Sequence, residues 1–369
     1  MTFSVMILGG YGNFGGFIAR QLANDKQIRL TIAGRDLDKA QNFVDQLYAV
    51  HTAYAVCVNV NENIDKVLTQ YKPDIVINCC GPFQGKDYHV AQCCIEHACH
   101  YIDIADGRDF VANCDQLHDK ALAANVLVCC GASSVPALSS AVIDAYKDQF
   151  RRLEEVEYAI STAQKTPRGL ATTKAILSYA GKPFKTLING KWQDVYGWQD
   201  IQIRRFWELG ARWLCNCDVP DLELFAKRYP TLKTIRFQAG LELFILHGGL
   251  YALSWLVRIG LLSTLKPFSK SLLAMSNIFN IIGTDKSGFY MKLSGSNHQG
   301  KPKSLQFNLC AKAGNGHYIP CMPAVILTKK LVQGALEKKG ATACMGLITL
   351  QEYMASLDEL DVSWCVEPL

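Results

Sequence analysis

Two aspartates, two serines and one arginine have the residue types and positions to carry out chemistry on a small molecule. Asp103 and Asp106 end a strand-like run, where partial desolvation raises the pKa of a carboxyl group and lets it exchange a proton with a carbonyl or imine. Ser133 and Ser134 follow another strand-like run and can donate hydrogen bonds to a substrate oxygen. Arg168 can bind an anionic substrate group.

The aspartates and serines also have structural interpretations. Asp106 could cap the helix that begins near Asp109, and Asp103 could accept hydrogen bonds from buried backbone amides. No G-x-S-x-G motif surrounds the serines, so neither is predicted to be a nucleophile. The sequence leaves the catalytic and structural roles of the aspartates open.

A glycine-rich turn near the start of the chain predicts a dinucleotide site. Residues 5–16, VMILGGYGNFGG, pass from an apolar strand through G-x-G-x-x-G into a helical pattern. Gly10 permits the bend, Gly12 lets backbone approach a pyrophosphate, and Gly15 lets the helix pack against the strand. The alternative is a merely structural turn. The predicted cofactor-binding residues of this turn are Gly10, Gly12, Asn13, Phe14 and Gly15.

The end of the second strand-like run indicates which dinucleotide binds. Arg35 stands where the 2′-phosphate of NADP would lie, and Lys39 adds a positive charge one helical turn later. NADP is therefore favoured over NAD. In the alternative interpretation Asp36 caps the next helix and the two cations are solvated; Asp36 could also bind the 2′-hydroxyl of NAD.

A second turn should border the cofactor, and no metal is predicted. The residues Cys80, Gly81, Pro82 and Phe83 follow a strand-like run and would lie along the nicotinamide ribose and pyrophosphate, although Gly-Pro also marks ordinary turns. The nearby histidines and cysteines at 94–100 run from a helix into a strand, so their side chains cannot all converge on one ion.

Alternating elements position these residues. Strand-like runs at 28–34, 55–60, 74–80, 99–105 and 126–132 are separated by helical patterns, which predicts a doubly wound parallel α/β sheet in a domain of residues 1–150. Longer strand candidates then predict a second, α+β domain on a mixed or antiparallel sheet over 151–369, with a β-hairpin near 296–301. Its last helices could pack back on the first domain.

Composition and charge narrow the class of protein. The 15 cysteines contain no C-x-x-C spacing and fall mostly in apolar patterns, which favours buried thiols in a reducing, cytoplasmic compartment. The apolar start lacks a basic leader, so no secretion signal is predicted. Residues 1–150 hold 11 basic and 16 acidic side chains against 27 and 17 in the remainder. The second part should attract anions, but no nucleic-acid motif accompanies the charge.

The segment 243–262 is unusually apolar. Its 20 residues carry one charge, Arg258. A membrane span, a helix lying in a membrane surface, and a buried or dimer-interface helix are the three alternatives, and the glycines within the segment weaken the first. Lys266 and Lys270 follow where an interfacial helix would need them.

Several motifs together resemble the saccharopine dehydrogenase-like oxidoreductases. They are GGYGNFGG, AGRD, VINCCGPF at 76–83, HYIDIADG at 100–107 and GASSVPA at 131–137. The resemblance implies an NADP-binding Rossmann domain, a substrate domain whose sheet often contributes to a homodimer, and hydride transfer in the cleft between the domains. The chain is short for the glutamate-forming enzyme of lysine metabolism, and the arginines that would hold a substrate with several carboxylates are not found.

These features predict an NADP-dependent oxidoreductase that acts on a small imine, carbonyl or amino-acid-derived compound. Two alternatives stay open: a reductase of lipid-linked enoyl or carbonyl groups, suited to the apolar segment, and a non-catalytic NADP-binding sensor or scaffold.

Overall fold

The structure, a computed structural model, describes residues 2–369. Its early strands are buried and its early helices bury one face each, as expected for a covered parallel sheet. In this part of the chain the strands are β1 (Phe3–Leu8), β2 (Ile28–Gly34), β3 (Tyr54–Cys57), β4 (Ile75–Asn78), β5 (His100–Asp103) and β6 (Leu127–Cys130), and the helices are α1 (Asn13–Ala23), α2 (Leu37–Asp45), α3 (Ile64–Tyr71), α4 (His89–Glu96), α5 (Arg108–Ala112), α6 (His118–Ala123) and α7 (Ser139–Tyr146).

Longer strands dominate the rest of the chain. They are β7 (Arg152–Thr162), β8 (Pro183–Ile188), β9 (Lys191–Tyr196), β10 (Gln202–Phe206), β11 (Gly210–Asn216), β12 (Thr234–Leu241), β13 (Ser287–Ser296), β14 (Pro302–Ala311), β15 (Gly340–Ala343) and β16 (Val362–Pro368). The helices are α8 (Leu170–Tyr179), α9 (Asp221–Arg228), α10 (Phe244–Arg258), α11 (Ser269–Ile278), α12 (Met322–Val332) and α13 (Leu350–Ala355).

The first compact unit comprises the chain up to Leu138 together with Tyr318–Ser356. Within residues 2–369 its sheet has seven parallel strands in the order β15-β6-β5-β4-β1-β2-β3. The strand order reverses at β1, because β2 and β3 lie on one side and β4 to β6 on the other. In such a sheet ligands bind beyond the carboxyl ends of the strands at this reversal. The predicted doubly wound parallel sheet is confirmed, and β15 is an additional strand.

The second compact unit comprises Ser139–His317 and Leu357–Leu369. Its main sheet has the order β10-β11-β12-β7-β13-β14-β16. Strands β7 and β12 are parallel and the other neighbours antiparallel, so the predicted mixed sheet is confirmed. Strands β13 and β14 form the predicted hairpin, with Ser296 opposite Pro302. Strands β8 and β9 form a separate hairpin.

Candidate functional site

The turn between β1 and α1 brings the start of the helix close to the end of the strand. Its left-handed residue is Gly9, with φ +74°, and the Gly12 N–H donates to the Gly9 carbonyl at 2.9 Å. A Cβ on Gly15 would lie 2.4 Å from that carbonyl oxygen, and a Cβ on Gly10 would lie 2.8 Å from the Ile7 oxygen. Close packing therefore requires Gly10 and Gly15, whereas the left-handed bend falls on Gly9, which the motif does not single out.

The first turn of α1 presents free amides. Its N-cap is Gly12, no side chain caps the helix, and its first turn contains no acidic residue. The Gly16 N–H is the first to bond within this turn, donating to the Gly12 carbonyl at 2.8 Å. Among the described residues, the N–H groups of Asn13, Phe14 and Gly15 therefore have no acceptor. Three amides at the positive end of a helix dipole fit a pyrophosphate.

Of the charged residues just after β2, Asp36 and Lys39 form an ion pair, whereas Arg35 does not take part in one within the described chain. Asp36 accepts from the Lys39 N–H at 3.1 Å, capping α2, and its carboxylate pairs with the Lys39 ammonium at 2.8 Å. The Tyr11 hydroxyl accepts from the Asp36 N–H at 3.2 Å, and the Tyr11 ring lies so close to Gly34 that a Cβ there would approach it to 2.4 Å. Arg35 is exposed and has no ionic partner within residues 2–369. Arg35 thus has its guanidinium available for a phosphate.

The turn after β4 lies near Arg35. The Asn78 side-chain oxygen accepts a hydrogen bond from the Cys80 N–H at 3.0 Å, and the Asn78 side-chain nitrogen donates to the Tyr101 hydroxyl at 3.0 Å. These two bonds fix the start of the turn. Burial raises the pKa of the Cys80 thiol to about 11, while the positive charge of Arg35 acts to lower it. Gly81 is exposed, and Phe83 is buried. The turns after β2 and β4 therefore flank the free end of α1.

Asp103 connects the ends of two strands. It is fully buried, and its Oδ1 accepts from the Gly131 N–H at 2.8 Å and the Ala105 N–H at 3.0 Å. Its Oδ2 has no hydrogen-bond partner among the described residues. Burial raises the pKa of the carboxyl to about 6, although the two backbone amides act to lower it. This is the backbone-binding arrangement that the sequence left open for Asp103.

Asp106 has a more accessible carboxyl group. The Gln84 side-chain amide donates to its Oδ1 at 3.0 Å, and the residue is partly exposed. Burial raises the pKa of Asp106, while the hydrogen bond from Gln84 acts to lower it. No side-chain cap from Asp106 is present at α5, whose N-cap is Gly107 within the described chain. Gln84 is a site residue that the sequence alone does not indicate, since only the fold brings it beside Asp106.

The two predicted serines lie in a buried turn. Ser133 donates its N–H to the Gly131 carbonyl at 2.7 Å, and both serine side chains are buried. Burial raises the pKa of Tyr353 well above its ordinary value, and a hydrogen bond with Ser134 acts in the opposite direction. The Tyr353 hydroxyl donates to the Ile319 carbonyl at 2.8 Å. Ser134 thus lies near the buried hydroxyl of Tyr353.

The returning segment Tyr318–Ser356 supports the start of α1. The Tyr318 ring stacks on Phe17 with a centroid separation of 4.0 Å. The Cys321 thiol lies 3.9 Å from the Phe14 carbonyl and donates to it. These contacts are made across about 300 residues of chain, and no local pattern indicates them.

A cavity of about 280 Å³ opens beside the turn after β4. Polar groups from Asn61, Lys86 and Tyr101 face it together with the apolar ring of Phe110. The Lys86 ammonium lies 3.5 Å from the Asn61 amide oxygen. The first unit therefore offers a mixed polar and apolar cavity beside the turn after β4.

Arg168 lies in the second unit. Its guanidinium donates to the amide oxygens of Gln164 and Asn280, both at 2.8 Å. It also donates to the Asn277 amide oxygen at 3.3 Å, and no salt bridge of Arg168 with a carboxylate is found among residues 2–369. Burial lowers its pKa from the ordinary value.

The structure also groups three possible metal ligands that the sequence does not. The ligand atoms of Asp65, Cys93 and Glu96 lie within 4.8 Å of one another on the described surface. The Asp65 carboxylate already accepts from His97 at 2.9 Å when that ring carries the proton. We assign no ion to this group, because both carboxylates are exposed and no further residue completes a coordination shell.

Comparisons with known proteins bear on the first unit and on the fold. Residues 5–165 match the family described as the saccharopine dehydrogenase NADP binding domain. Among solved structures, apo saccharopine dehydrogenase (L-Glu forming) from Saccharomyces cerevisiae is similar with a TM-score of 0.70, 14% identity and full coverage of both chains. The amine dehydrogenase from Mycobacterium smegmatis is similar with a TM-score of 0.51, 10% identity, and coverage of 93% of this chain and 95% of that one. Comparison with the curated proteins found no match.

Proposed function

We propose that this chain, whose residues 5–165 match the saccharopine dehydrogenase NADP-binding family, is an NADP-dependent oxidoreductase that transfers hydride to or from a small carbonyl, imine or amino-acid-derived compound. The observation that supports the proposal most strongly is the uncapped N-terminus of α1, whose first N–H groups are free. The neighbouring Gly10 and Gly15 have no space for a side chain. NADP is the ligand named in the description of the matching family, so we propose NADP as the ligand of this site. The proposed substrate class depends on the side chains described below, which can exchange a proton or bind an anionic group.

The residues of the first unit fit NADP. The amides of Asn13, Phe14 and Gly15 would bind its pyrophosphate, and Arg35 would bind its 2′-phosphate. Lys39 is a weaker candidate for that phosphate because it is paired with Asp36. When bound, NADP supplies or accepts the hydride. In the proposal the turn residues Cys80, Gly81, Pro82 and Phe83 border the rest of the cofactor.

We assign proton exchange to Asp106 and a positioning role to Asp103. Asp106 is partly exposed, and the Gln84 amide engages one of its oxygens, which leaves the other to meet a substrate oxygen or nitrogen. Its raised pKa favours a carboxyl that can hold a proton before giving it up. Asp103 instead holds the backbone after β5 and β6 together.

Three further residues stay predicted substrate contacts, each within its own unit. Ser133 and Ser134 can present hydroxyl donors, although both are buried. Arg168 has only amide partners, which supports a role in holding an anionic group. The cytoplasmic location and the homodimer stay predictions, and light scattering of the purified protein tests the latter.

The test is NADPH oxidation followed by absorbance with a panel of imines, aldehydes and enoyl compounds. Turnover on one of the small imines or carbonyls supports the proposal. NADPH binding in calorimetry without turnover on any panel member supports the sensor alternative. Absence of binding by either NADPH or NADH would remove the basis of the proposal.

A second candidate is reduction of a lipid-linked enoyl or carbonyl group. The observation that favours it is the set of exposed apolar side chains on α10 and after it, among them Phe244, which is 69% exposed. The panel distinguishes the two candidates when each reactive group, whether imine, aldehyde or enoyl, is offered with both a short and a long acyl chain. A strong preference for the long chains would favour the lipid-linked substrate.

A further inference from the structure

Helix α10 packs Leu250, Leu253 and Val257 against the core of the second unit but leaves other large apolar side chains exposed. The residues that it buries are His247, Ser254 and Val257, whereas Phe244, Ile245 and Trp255 are exposed. A surface helix of a globular protein normally buries its apolar stripe and exposes its polar face. The exposed apolar face of α10 therefore needs an explanation outside the hydrophobic core.

The polar residues on the buried face are held by hydrogen bonds. His247 accepts from the Leu241 N–H at Nδ1 (3.3 Å), so its Nε2 carries the proton and donates to the Cys215 sulfur at 3.2 Å. The Ser254 hydroxyl lies 3.2 Å from the Trp198 carbonyl oxygen and accepts from the Gln199 side-chain amide at 3.4 Å. Rolling α10 to bury its apolar face would break these bonds within an apolar environment, which is costly.

Close backbone packing also fixes the orientation of α10. A Cβ on Gly181 would lie 2.1 Å from the Ser254 carbonyl oxygen. Val257 packs with Trp198 and Leu265 in the neighbouring apolar cluster. These contacts hold α10 in the orientation that leaves Phe244, Ile245 and Trp255 exposed.

The chain that follows α10 extends the exposed apolar area. Ile259 is 61% exposed and Ile281 is 88% exposed. We use "the 244–282 surface" for the exposed large apolar residues of this part of the chain, which are Phe244, Ile245, Trp255, Ile259, Leu261, Phe268, Met275, Ile278, Ile281 and Ile282. Such a concentration of exposed large side chains within 39 residues marks an interaction site.

The charges within the same segment all have one sign. No acidic residue occurs from 243 to 284, whereas Arg258, Lys266 and Lys270 are present and exposed. The Arg258 guanidinium lies over the Trp255 ring, 4.7 Å from its centroid, so this cation stands beside an exposed aromatic side chain. Aromatic and aliphatic side chains with interspersed cations and no acids match an anionic lipid surface.

We propose that the 244–282 surface docks on a membrane surface that carries anionic lipid headgroups. A second copy of the chain is the less favourable occupant, because a twofold contact would place Arg258, Lys266 and Lys270 against their own like charges. No helix among residues 2–369 is long and apolar enough to cross a bilayer. The docked segment lies at the headgroup boundary with its apolar side chains inserted.

The experiment is co-sedimentation of the full chain with two kinds of vesicle, phosphatidylcholine alone and phosphatidylcholine with phosphatidylserine. Ile259→Ser is compared with Ile203→Ser, because both isoleucines are 61% exposed but Ile203 lies on β10. We expect Ile259→Ser to weaken binding to the anionic vesicles about tenfold and Ile203→Ser to leave it unchanged. The double variant K266E/K270E should weaken it about tenfold or more, whereas K191E/K301E should not.

Every other outcome contradicts the proposal. Binding that is equal to the two vesicle types, or equal for Ile259→Ser and Ile203→Ser, excludes docking through this surface. A wild-type dimer that Ile259→Ser converts to a monomer, without vesicle binding, assigns the surface to a second copy. Circular dichroism confirms that each variant is folded, and NADPH titration of the same samples keeps this result separate from the proposed enzymatic function.

Discussion

At the scale of single residues, Arg35 and Lys39 form a matched pair for testing cofactor choice. Both follow β2, but only Lys39 is paired with a carboxylate. We expect Arg35→Ala to weaken NADPH binding roughly 10- to 100-fold, the loss that corresponds to hydrogen bonds with a charged phosphate. Binding of NADH, which lacks the 2′-phosphate, should change little, and Lys39→Ala should have a small effect on both. Calorimetric titration measures all four constants; equal losses for the two cofactors would contradict the assignment of Arg35.

Replacing Asp103 and Asp106 by asparagine, one at a time, distinguishes their proposed roles. Asp106→Asn removes the proposed proton exchange, so we expect kcat to fall about 100-fold or more while the Kd for NADPH is retained. Asp103→Asn keeps an oxygen that can accept from Gly131 and Ala105, so its kcat should fall by less than about tenfold. The reverse ranking in steady-state kinetics would transfer the proton-exchange role to Asp103.

At the scale of elements, the sequence predicts the strands and helices of the first sheet better than the geometry of its site. The runs predicted at 74–80 and 99–105 are observed as Ile75–Asn78 and His100–Asp103. Apolar periodicity marks where such strands lie, but it does not mark where the ladder ends and the ligand-facing turn begins. The contact between Gln84 and Asp106 lies in these turns, which is why it escapes prediction.

Strand β15 gives no sequence signal, for a different reason. Its sequence, Gly340–Ala343, contains only small residues, and its partner β6 lies more than 200 residues earlier in the chain. Neither strand propensity nor local periodicity carries information on a pairing of this kind. The same holds for Tyr318 and Tyr353, which contact the first unit but follow β7 to β14 in the sequence.

A buried carboxyl in the second unit makes the packing of three elements sensitive to pH. Asp221, at the start of α9, accepts from the Ser139 hydroxyl of α7 at 2.5 Å and from the Tyr158 hydroxyl of β7 at 2.8 Å. Burial raises its pKa to about 7, above the 3.8 of an exposed aspartate. The unfolded chain therefore loses this proton at lower pH than the folded chain.

Stability should then fall as pH rises. The contribution of the protonated Asp221 is complete below pH 3.8 and is lost by about pH 7. The loss is on the order of 4 kcal/mol in the free energy of unfolding. Because Asn does not titrate, the difference in this free energy between wild type and Asp221→Asn should decrease from pH 5 to pH 7 and stay constant above it. Denaturant unfolding across this range checks the slope, and a difference that is independent of pH would show that Asp221 is already ionised.

At the scale of the whole molecule, the first sheet is completed by residues far from its beginning. Strand β15 pairs with β6, Tyr318 stacks on Phe17, and Cys321 donates to the carbonyl of Phe14 at the cofactor end of α1. A fragment of residues 1–150 contains every predicted cofactor-binding residue but none of these supports. We expect it to unfold at a lower denaturant concentration than the full chain and to bind NADPH at least about tenfold more weakly, because exposure of β6 and loss of the aromatic stack leave apolar area uncovered. Fluorescence unfolding and NADPH titration of the fragment beside the full chain measure both effects. If the fragment and the full chain have equal stability and equal affinity for NADPH, the segment Tyr318–Ser356 is not needed for the fold or the cofactor site of the first unit.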